Sequence, residues 1–243
     1  MTIGAFQILG ARFFSTHHVS AADALAGRER ELATPGFPLL AGRARRFTSL
    51  VTQMQIDVCG SLLDESQAPI AVFATCHGEI KTAETLISDI RDNAMVSSAR
   101  FALSVHNTPS GLYSVATGSP APTTTVTGSN AIAGGWLEAA LTVLAEQRRV
   151  LLTIADEPVP AVFGGPPEHV GVAAAFLLGP ASAEKAVELA VIAGSAGDVA
   201  TVATLARTVV AVEQGDAASI DLGMIAAGAP GTRLELRVGG PRP

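Results

Sequence analysis

Hydrophobic and polar positions along the chain follow two alternating patterns. Short apolar runs, such as Ile70–Thr75, stand between turn-forming residues and indicate strands that are buried on both faces. Elsewhere apolar residues recur every three or four positions, which indicates amphipathic helices. The predicted strands are residues 3–14, 70–75, 123–127, 150–154, 170–178, 187–193 and 233–238. The predicted helices are residues 45–63, 81–91, 101–116, 131–147 and 199–214.

Strands that alternate with helices predict an α/β protein in which helices flank a mostly parallel sheet. The length of 243 residues and the lack of a linker favour a single domain over residues 1–243. In the helix at 81–91 the spacing of the apolar residues predicts that one side faces the sheet. The residues expected on that side are Ile80, Leu86, Ile87 and Ile90.

Proline and glycine mark further features. Pro109 and Gly111 should kink the helix at 101–116. Gly134 and Gly135 lie inside a predicted helix, where each costs up to about 1 kcal/mol relative to alanine, so a close packing contact should account for them. The proline- and glycine-rich residues 158–167 are the best candidate for a long loop or lid.

Composition restricts the possible functions. Hydrophobic residues make up 48% of the chain and charged residues 16%, which allows a large core. The net charge of −6 includes no basic stripe, so nucleic acid is not an expected partner. No run of 18 uninterrupted apolar residues occurs, so no membrane span is expected. Cys59 and Cys76 give no disulfide framework, which fits a cytoplasmic protein.

Cys76 and His77 form the most suggestive local pair. A thiol beside an imidazole at the end of a strand could be a reactive thiolate. Neighbouring side chains of an extended segment point to opposite faces, however, so a loop that closes a buried strand is the favoured interpretation. The same geometry makes Asp156 and Glu157 diverge, which favours a polar strand end over a pair of catalytic carboxylates.

The remaining polar residues indicate neither a metal nor a cofactor. The five histidines are scattered at positions 17, 18, 77, 106 and 169, without the spacing of a metal site. His17 and His18 are expected to be solvated. The glycine-rich turns lack the spacing of a dinucleotide fingerprint or a P-loop, so no nucleotide site is expected.

Two segments carry a resemblance to a known family. His-Asn-Thr-Pro-Ser-Gly at 106–111 and Ala-Thr-Gly-Ser-Pro-Ala-Pro at 116–122 precede the strand Thr123–Thr127 and a turn at Gly128. This order of parts resembles the approach to the active site in β-ketoacyl synthases. In that family a nucleophile elbow follows, with a cysteine at the start of a buried helix. Here the elbow falls on Ser129 or Asn130, and neither is cysteine.

A short, elbow-deficient relative of a ketosynthase resembles the chain length factors, including the short members found with aryl polyene clusters. The resemblance implies the N-terminal half of a thiolase-like layered fold and no activity of its own. It also implies a heterodimer with a catalytic ketosynthase across a pseudo-two-fold axis, in which strands such as Thr123–Thr127 run antiparallel to join the sheets. The acyl carrier protein would be a further partner, and no cofactor or metal is implied.

On this interpretation the chain would form one wall of the acyl tunnel of its partner. The candidate tunnel or interface residues are His77, Phe101, Val105, Leu112 and Thr125. Core packing is the simpler explanation for Phe101, Val105 and Leu112.

Two other functions stay open at this stage. The chain could be a small acyltransferase or condensing enzyme with Cys76 or Ser129 as nucleophile and His77 or His106 as base. It could also be an acyl-binding or scaffold module that holds the carrier protein without limiting chain length.

Overall fold

The computed structural model describes residues 1–30, 33–36, 39–40, 48–64, 68–166, 170–182, 186–194, 201–224 and 231–239. The strands are β1 (Thr2–Ser15), β2 (Ile70–Thr75), β3 (Thr123–Thr127), β4 (Val150–Asp156), β5 (Val172–Pro180), β6 (Val187–Gly194), β7 (Ala218–Met224) and β8 (Gly231–Val238). The helices are α1 (Ala21–Leu25), α2 (Leu50–Gly60), α3 (Ile80–Arg91), α4 (Ser98–Ala102), α5 (Thr108–Thr117), α6 (Ala131–Glu146) and α7 (Thr201–Gln214), with a 3₁₀ turn at Ala161–Phe163.

All eight strands form one sheet in the order β3-β2-β4-β5-β1-β6-β8-β7. Among the strands that the structure describes, β2 pairs in parallel with β3 and with β4, and the other five pairings are antiparallel. The prediction of a mostly parallel sheet is therefore wrong. A helix between two strands in sequence does not make them neighbours in the sheet: β1 lies between β5 and β6, which are far from it in the chain.

Helices cover both faces of the sheet. Trp136 and Val143 of α6 and Leu205 of α7 lie in one core, whereas Met54 of α2 and Tyr113 of α5 lie in the other. The residues of β2 alternate between the two cores, and all six are buried, as the apolar run predicts. The α/β layering expected from the sequence is confirmed.

The glycine pair inside α6 has the packing role that the sequence predicts. A Cβ atom at Gly135 would lie 2.8 Å from Cβ of Ala74 on β2. A Cβ atom at Gly134 would lie 2.9 Å from Cγ1 of Val126 on β3. These two positions let the first turns of α6 approach the parallel strands more closely than alanine would permit.

The single kinked helix predicted at 101–116 is wrong, because two separate helices, α4 and α5, occupy this region. Pro109 stands in the first turn of α5, after Asn107 at the N-cap. A backbone N–H at this position would have no partner within the helix, so proline begins the helix without breaking a hydrogen bond.

The predicted inward side of α3 is only partly correct. Leu86 is buried, but Ile87 is 53% exposed and Ile90 63% exposed. The periodicity identifies an apolar side of this helix, yet the sheet of the same chain does not cover it.

The other predicted elements are confirmed, with shifted ends. Parts of four predicted features lie outside the described residues. They are residues 45–47 of the first long helix, residue 167 of the long loop, the histidine at position 169, and residues 199 and 200 of the last helix. The sequence pattern did not predict α1 or β7. β7 pairs with β8 at the far end of the sheet, and its register shifts between Asp221 and Gly223, which breaks the simple alternation of a strand.

Candidate functional site

Three parallel strands end at the same edge of the sheet. β3 is followed by the Gly128 turn and the elbow, β2 by Cys76 and His77, and β4 ends at Asp156. The amide of Gly128 donates to the carbonyl oxygen of Thr75 over 3.3 Å, so the elbow and the exit of β2 are in direct contact. The candidate site is built from these three strand exits and the helices that follow them.

The elbow carries no ionisable nucleophile. Ser129 is exposed, and its hydroxyl donates to Oδ1 of Asn130 over 3.3 Å. Asn130 is the N-cap residue of α6, and Ala131 begins the buried part of that helix. An amide oxygen is not a base that could take the serine proton, so this contact does not activate the hydroxyl.

Cys76 lies close to the elbow, but its surroundings keep the thiol protonated. Burial, and then the negative charge of Asp156, raise the pKa of Cys76 to about 12. The amide of Ala131 at the start of α6 also contacts the sulfur and acts in the opposite direction, more weakly. A catalytic thiolate requires a lowered pKa. The favoured interpretation of Cys76 and His77 as a loop closing a buried strand therefore agrees with the chemistry of the site.

Asp156 is the central acceptor of the site. Its Oδ1 accepts hydrogen bonds from the hydroxyl of Thr75 at 2.9 Å and from the amides of Cys76 at 2.8 Å and His77 at 3.1 Å. Nδ1 of His77 is 3.7 Å from the same oxygen. This distance is long for a hydrogen bond, so we attribute the raised pKa of His77 to its attraction to the Asp156 carboxylate as a whole.

Two further carboxyl groups lie beneath the surface. Glu79 accepts from the hydroxyl of Thr52 at 2.5 Å and from that of Thr82 at 3.1 Å. Glu157 accepts from the amide of Lys81 at 3.1 Å. Burial raises the pKa of Glu79, and it raises that of Glu157 to about 7. Asp156 and Glu157 bind different segments, as their adjacent positions in an extended chain predict.

The predicted tunnel residues fall into two environments. Phe101 is 65% exposed and Val105 45% exposed, so core packing within this chain does not account for them. Leu112 packs on the small cluster formed by Leu40 and Ile56, which agrees with the core interpretation. Thr125 lies on β3 and donates to the hydroxyl of Ser110 over 3.3 Å.

Six apolar side chains within residues 87–105 are exposed. We call them together the α3–α4 patch, and they are Ile87, Ile90, Met95, Val96, Phe101 and Val105. Arg100 of α4 pairs with Asp89 of α3 at 3.0 Å, so the two helices lie side by side. The apolar periodicity of α3 predicted that this side faces the core, so the sequence did not reveal the patch.

The described histidines lie in different environments. His77 follows β2, and its side chain is 45% exposed. His106 is exposed beside Gly78, where an added Cβ atom would come within 3.3 Å of Cβ of His106. The prediction that His18 is solvated is wrong, since it is buried and shares a 2.9 Å hydrogen bond with Ser15.

The sequence could have revealed Glu79 and Asp156 only in part. A charged residue at the end of a buried strand stands out in the sequence as a candidate site residue, and Asp156 is such a residue. Glu79 lies one residue before α3, where a carboxylate is common at a helix N-terminus, so nothing in the sequence distinguishes it from an exposed capping residue.

Among the residues that the structure describes, no group of three or more His, Cys, Asp or Glu side chains is placed to hold a metal ion. Within the same residues, no helix is long and apolar enough to cross a membrane.

Comparisons with known proteins identify the fold and the family of the chain. A chain of the complex between the ketosynthase ApeO and its chain length factor ApeC from Xenorhabdus doucetiae superposes with a TM-score of 0.75 at 17% identity, covering 96% of this chain and 99% of that chain. A chain of the ishigamide ketosynthase/chain length factor gives 0.70 at 16% identity, covering 98% and 100%. A β-ketoacyl synthase from Burkholderia phymatum gives 0.58 at 14% identity, covering 82% and 66%.

These structures identify the fold as the thiolase-like fold of ketosynthases, as the resemblance implied. No curated protein is similar enough in sequence to match. The family model described as β-ketoacyl synthase, N-terminal domain, matches residues 20–218. The chain therefore belongs to the family of β-ketoacyl synthase N-terminal domains.

Proposed function

We propose that this chain is a chain length factor without catalytic activity of its own, which forms a heterodimer with a catalytic β-ketoacyl synthase and shapes its acyl tunnel. The elbow is the observation that carries the proposal: it holds Ser129 and Asn130, whereas the resemblance to β-ketoacyl synthases places a cysteine there. Cys76, the thiol beside the elbow, has its pKa raised to about 12. The condensation chemistry then belongs to the partner, and this chain contributes shape.

The lengths of the matched chains support the proposal. This chain covers 99% and 100% of chains from two complexes of a ketosynthase with a chain length factor, but 66% of a β-ketoacyl synthase. A chain about as long as this one thus occurs in assemblies of that kind. The acyltransferase alternative would require an activated Cys76 or Ser129, and the contacts of both residues are unfavourable to it.

The exposed edge of β3 supports a partner strand. β3 is the end strand of the sheet, and the amide of Gly128 points inward to Thr75 on β2. In a parallel pair both backbone groups of a residue point to the same side, and successive residues alternate. The amide of Thr125 therefore points outward, where a strand of the partner could accept from it, as the strands before the elbows do in the family. An edge left open in this way is otherwise a liability.

The α3–α4 patch also supports an interface with a partner subunit. Its six side chains lie within residues 87–105 and are exposed in the isolated chain, and exposed apolar side chains are common at interaction sites. We expect the ketosynthase to cover part of it and the growing acyl chain to meet the rest. The interface is then apolar on the helices and threonine-rich on the strand.

Chain length would be limited by side-chain volume at the tunnel wall. A growing chain packs favourably until its tip meets a bulky group, and a further methylene then costs about 1 to 3 kcal/mol by overpacking. Phe101 and Leu112 are the large side chains proposed for this role, with His77, Val105 and Thr125 beside them. The acyl carrier protein would deliver the chain, in a cytoplasmic pathway of the type II fatty acid or polyketide kind, such as aryl polyene synthesis.

The assembly test is size-exclusion chromatography of the chain alone and coexpressed with a β-ketoacyl synthase from the same genome. We expect poor solubility alone and a one-to-one complex with the synthase. Mass spectrometry after incubation with an acyl carrier protein thioester should find the acyl group on the synthase only. An adduct on Cys76 or Ser129 would favour the enzyme alternative, and a well-behaved monomer that ignores the synthase would overturn the proposal.

The tunnel test compares product lengths made by the complex. Phe101→Ala should lengthen the products, because it removes a bulky group from the wall. Leu141→Ala is the matched control, since Leu141 is an exposed apolar residue on α6, outside the patch. Unchanged products with Phe101→Ala and Leu112→Ala, in an assembled complex, would support the scaffold alternative.

A further inference from the structure

The carboxylate of Asp156 joins the exit of β4 to the turn that follows β2. One oxygen, Oδ1, accepts from the Thr75 hydroxyl and from the consecutive amides of Cys76 and His77, all within 3.1 Å. Successive backbone N–H groups that converge on one anion form a nest, and hydrogen bonds to a charged acceptor are stronger than neutral ones. The contact spans 80 residues of sequence between Cys76 and Asp156.

The turn at residues 75–78 depends on this carboxylate for its shape. The Thr75 hydroxyl donates to Asp156 and accepts from the amide of Gly78 at 2.9 Å, so one side chain is held from both directions. Gly78 has φ of +58°, a left-handed conformation that glycine adopts at little cost. The carbonyl oxygen of Gly78 then accepts from the amide of Ile80, where α3 begins.

The turn touches both parts of the proposed tunnel wall. On one side the Thr75 carbonyl oxygen accepts from Gly128, and the Cys76 sulfur lies at the amide of Ala131, so the turn meets the elbow. On the other side Gly78 packs against His106, within the segment 103–107 that connects α4 to α5. A shift of the turn would therefore move His77 and this segment relative to the elbow.

We propose that Asp156 is a positioning residue for the tunnel wall, which fixes the turn at 75–78 and thereby sets His77 and the 103–107 segment against the elbow. The inference rests on the proposed function, because it assigns the geometry of that wall to one carboxylate. It does not require Asp156 to touch the acyl chain.

A carboxylate suits this role better than an amide. Oδ2 of Asp156 is buried and, within the described part of the chain, has no hydrogen-bond partner. Asparagine in the same position would place an NH₂ donor there without an acceptor, or would turn that donor toward the nest, where donors already converge. The attraction of His77 to Asp156, which raises the pKa of the imidazole, is a second consequence of the charge.

The experiment uses the full chain, alone and in its complex with the ketosynthase. Asp156→Asn removes the charge and keeps the shape. Thr75→Val keeps a β-branched side chain and removes the hydroxyl that links Asp156 to Gly78. Asp64→Asn is the matched control, since Asp64 is a carboxylate in an exposed pair with Arg149, away from the turn.

Three readouts separate positioning from general stability. Amide hydrogen exchange at Cys76 and His77 should rise about ten-fold in Asp156→Asn, as expected when hydrogen bonds to a charged acceptor become weaker bonds to a neutral one. NMR titration should show the pKa of His77 falling towards its ordinary value of 6.5. The assembled complex should make a broader range of product lengths with Asp156→Asn and Thr75→Val, and the wild-type range with Asp64→Asn.

The outcomes distinguish this inference from the proposed function. Faster exchange in Asp156→Asn, together with wild-type product lengths from its assembled complex, would overturn the positioning role while the heterodimer stands. If Asp156→Asn does not fold, Thr75→Val decides the question by the same product measurement. Failure of the wild-type chain to pair with a synthase would overturn the proposed function, and with it the assignment of Asp156 to a tunnel wall.

Discussion

Glu157 combines deep burial with a carboxyl group that holds its proton near neutral pH. Its side chain is 2% exposed, and burial followed by the charge of Glu79 raises its pKa from 4.5 to about 7. The amide of Lys81 donates to it and acts in the opposite direction. We predict that replacing Glu157 by glutamine stabilises the protein at pH 8 and has little effect on stability at pH 4.5.

The sign follows from proton linkage. Below its unfolded value of 4.5 the group is protonated in both states, so its burial carries no charge penalty. As the pH rises from 4.5 to 7 the unfolded chain releases the proton and the folded chain keeps it, so the free energy of unfolding falls. Above pH 7 the folded chain carries a buried charge, and the loss of stability is complete.

The magnitude follows from the two pKa values. The difference between 4.5 and 7 corresponds to about 3 kcal/mol, at about 1.4 kcal/mol per pH unit. Proton sharing with Glu79 and local relaxation reduce this, so we expect Glu157→Gln to gain about 1 to 3 kcal/mol at pH 8. For a protein of this size that is a rise in Tm of several degrees.

Thermal unfolding at pH 4.5, 6, 7 and 8 measures the effect. The difference in Tm between Glu157→Gln and wild type should grow with pH up to about 7 and then level off. Glu146→Gln is the control, because Glu146 is exposed at the end of α6. A Tm difference that is the same at every pH, or that favours the wild type at pH 8, would refute the assignment of a buried proton to Glu157.

Four further predictions concern α6, α5, the thiol and the sheet edge. Gly135→Ala should destabilise the chain by about 1 to 3 kcal/mol in denaturant titrations, because its Cβ atom would lie 2.8 Å from that of Ala74. Gly111→Ala, a helical glycine with open space around it, should stabilise by about 0.5 to 1 kcal/mol. Cys76 should resist iodoacetamide at pH 8 in the native protein and react once denaturant unfolds the chain; rapid native labelling would contradict its raised pKa. Thr125→Pro should abolish the heterodimer on size-exclusion chromatography, because it removes an amide that points away from β2. The circular dichroism of the chain should stay unchanged. Normal assembly of this variant would contradict pairing through β3.

The sequence predicted most accurately the elements whose residues are all buried to the same degree. Every residue of β2 is buried, so its apolar run identifies it without knowledge of its neighbours. The sequence could not predict strand direction, because β1 pairs with β5 across more than 150 residues of chain. Hydrogen bonds between distant segments decide that pairing, and no local pattern records them.

The same limit applies to the candidate site. The divergence of Asp156 and Glu157 followed from local geometry and is correct, but their partners at residues 75–77 and 81 lie about 80 positions earlier. Ile87 and Ile90 show a different limit of prediction from the sequence. Their periodicity identifies an apolar side of α3, whereas the fold of this chain leaves both side chains exposed.

The electrostatics of the strand exits oppose covalent catalysis by this chain. A nucleophilic cysteine needs a neighbouring positive charge or a base to favour the thiolate. Cys76 instead lies beside the negative charge of Asp156, which adds to the effect of burial and raises its pKa further. The arrangement that orders the turn and attracts His77 is therefore the one that keeps the thiol protonated. The site holds the backbone of the turn in place and keeps the Cys76 thiol protonated. These properties suit the proposed role, in which the chain supplies the wall of a tunnel and its partner forms the bonds.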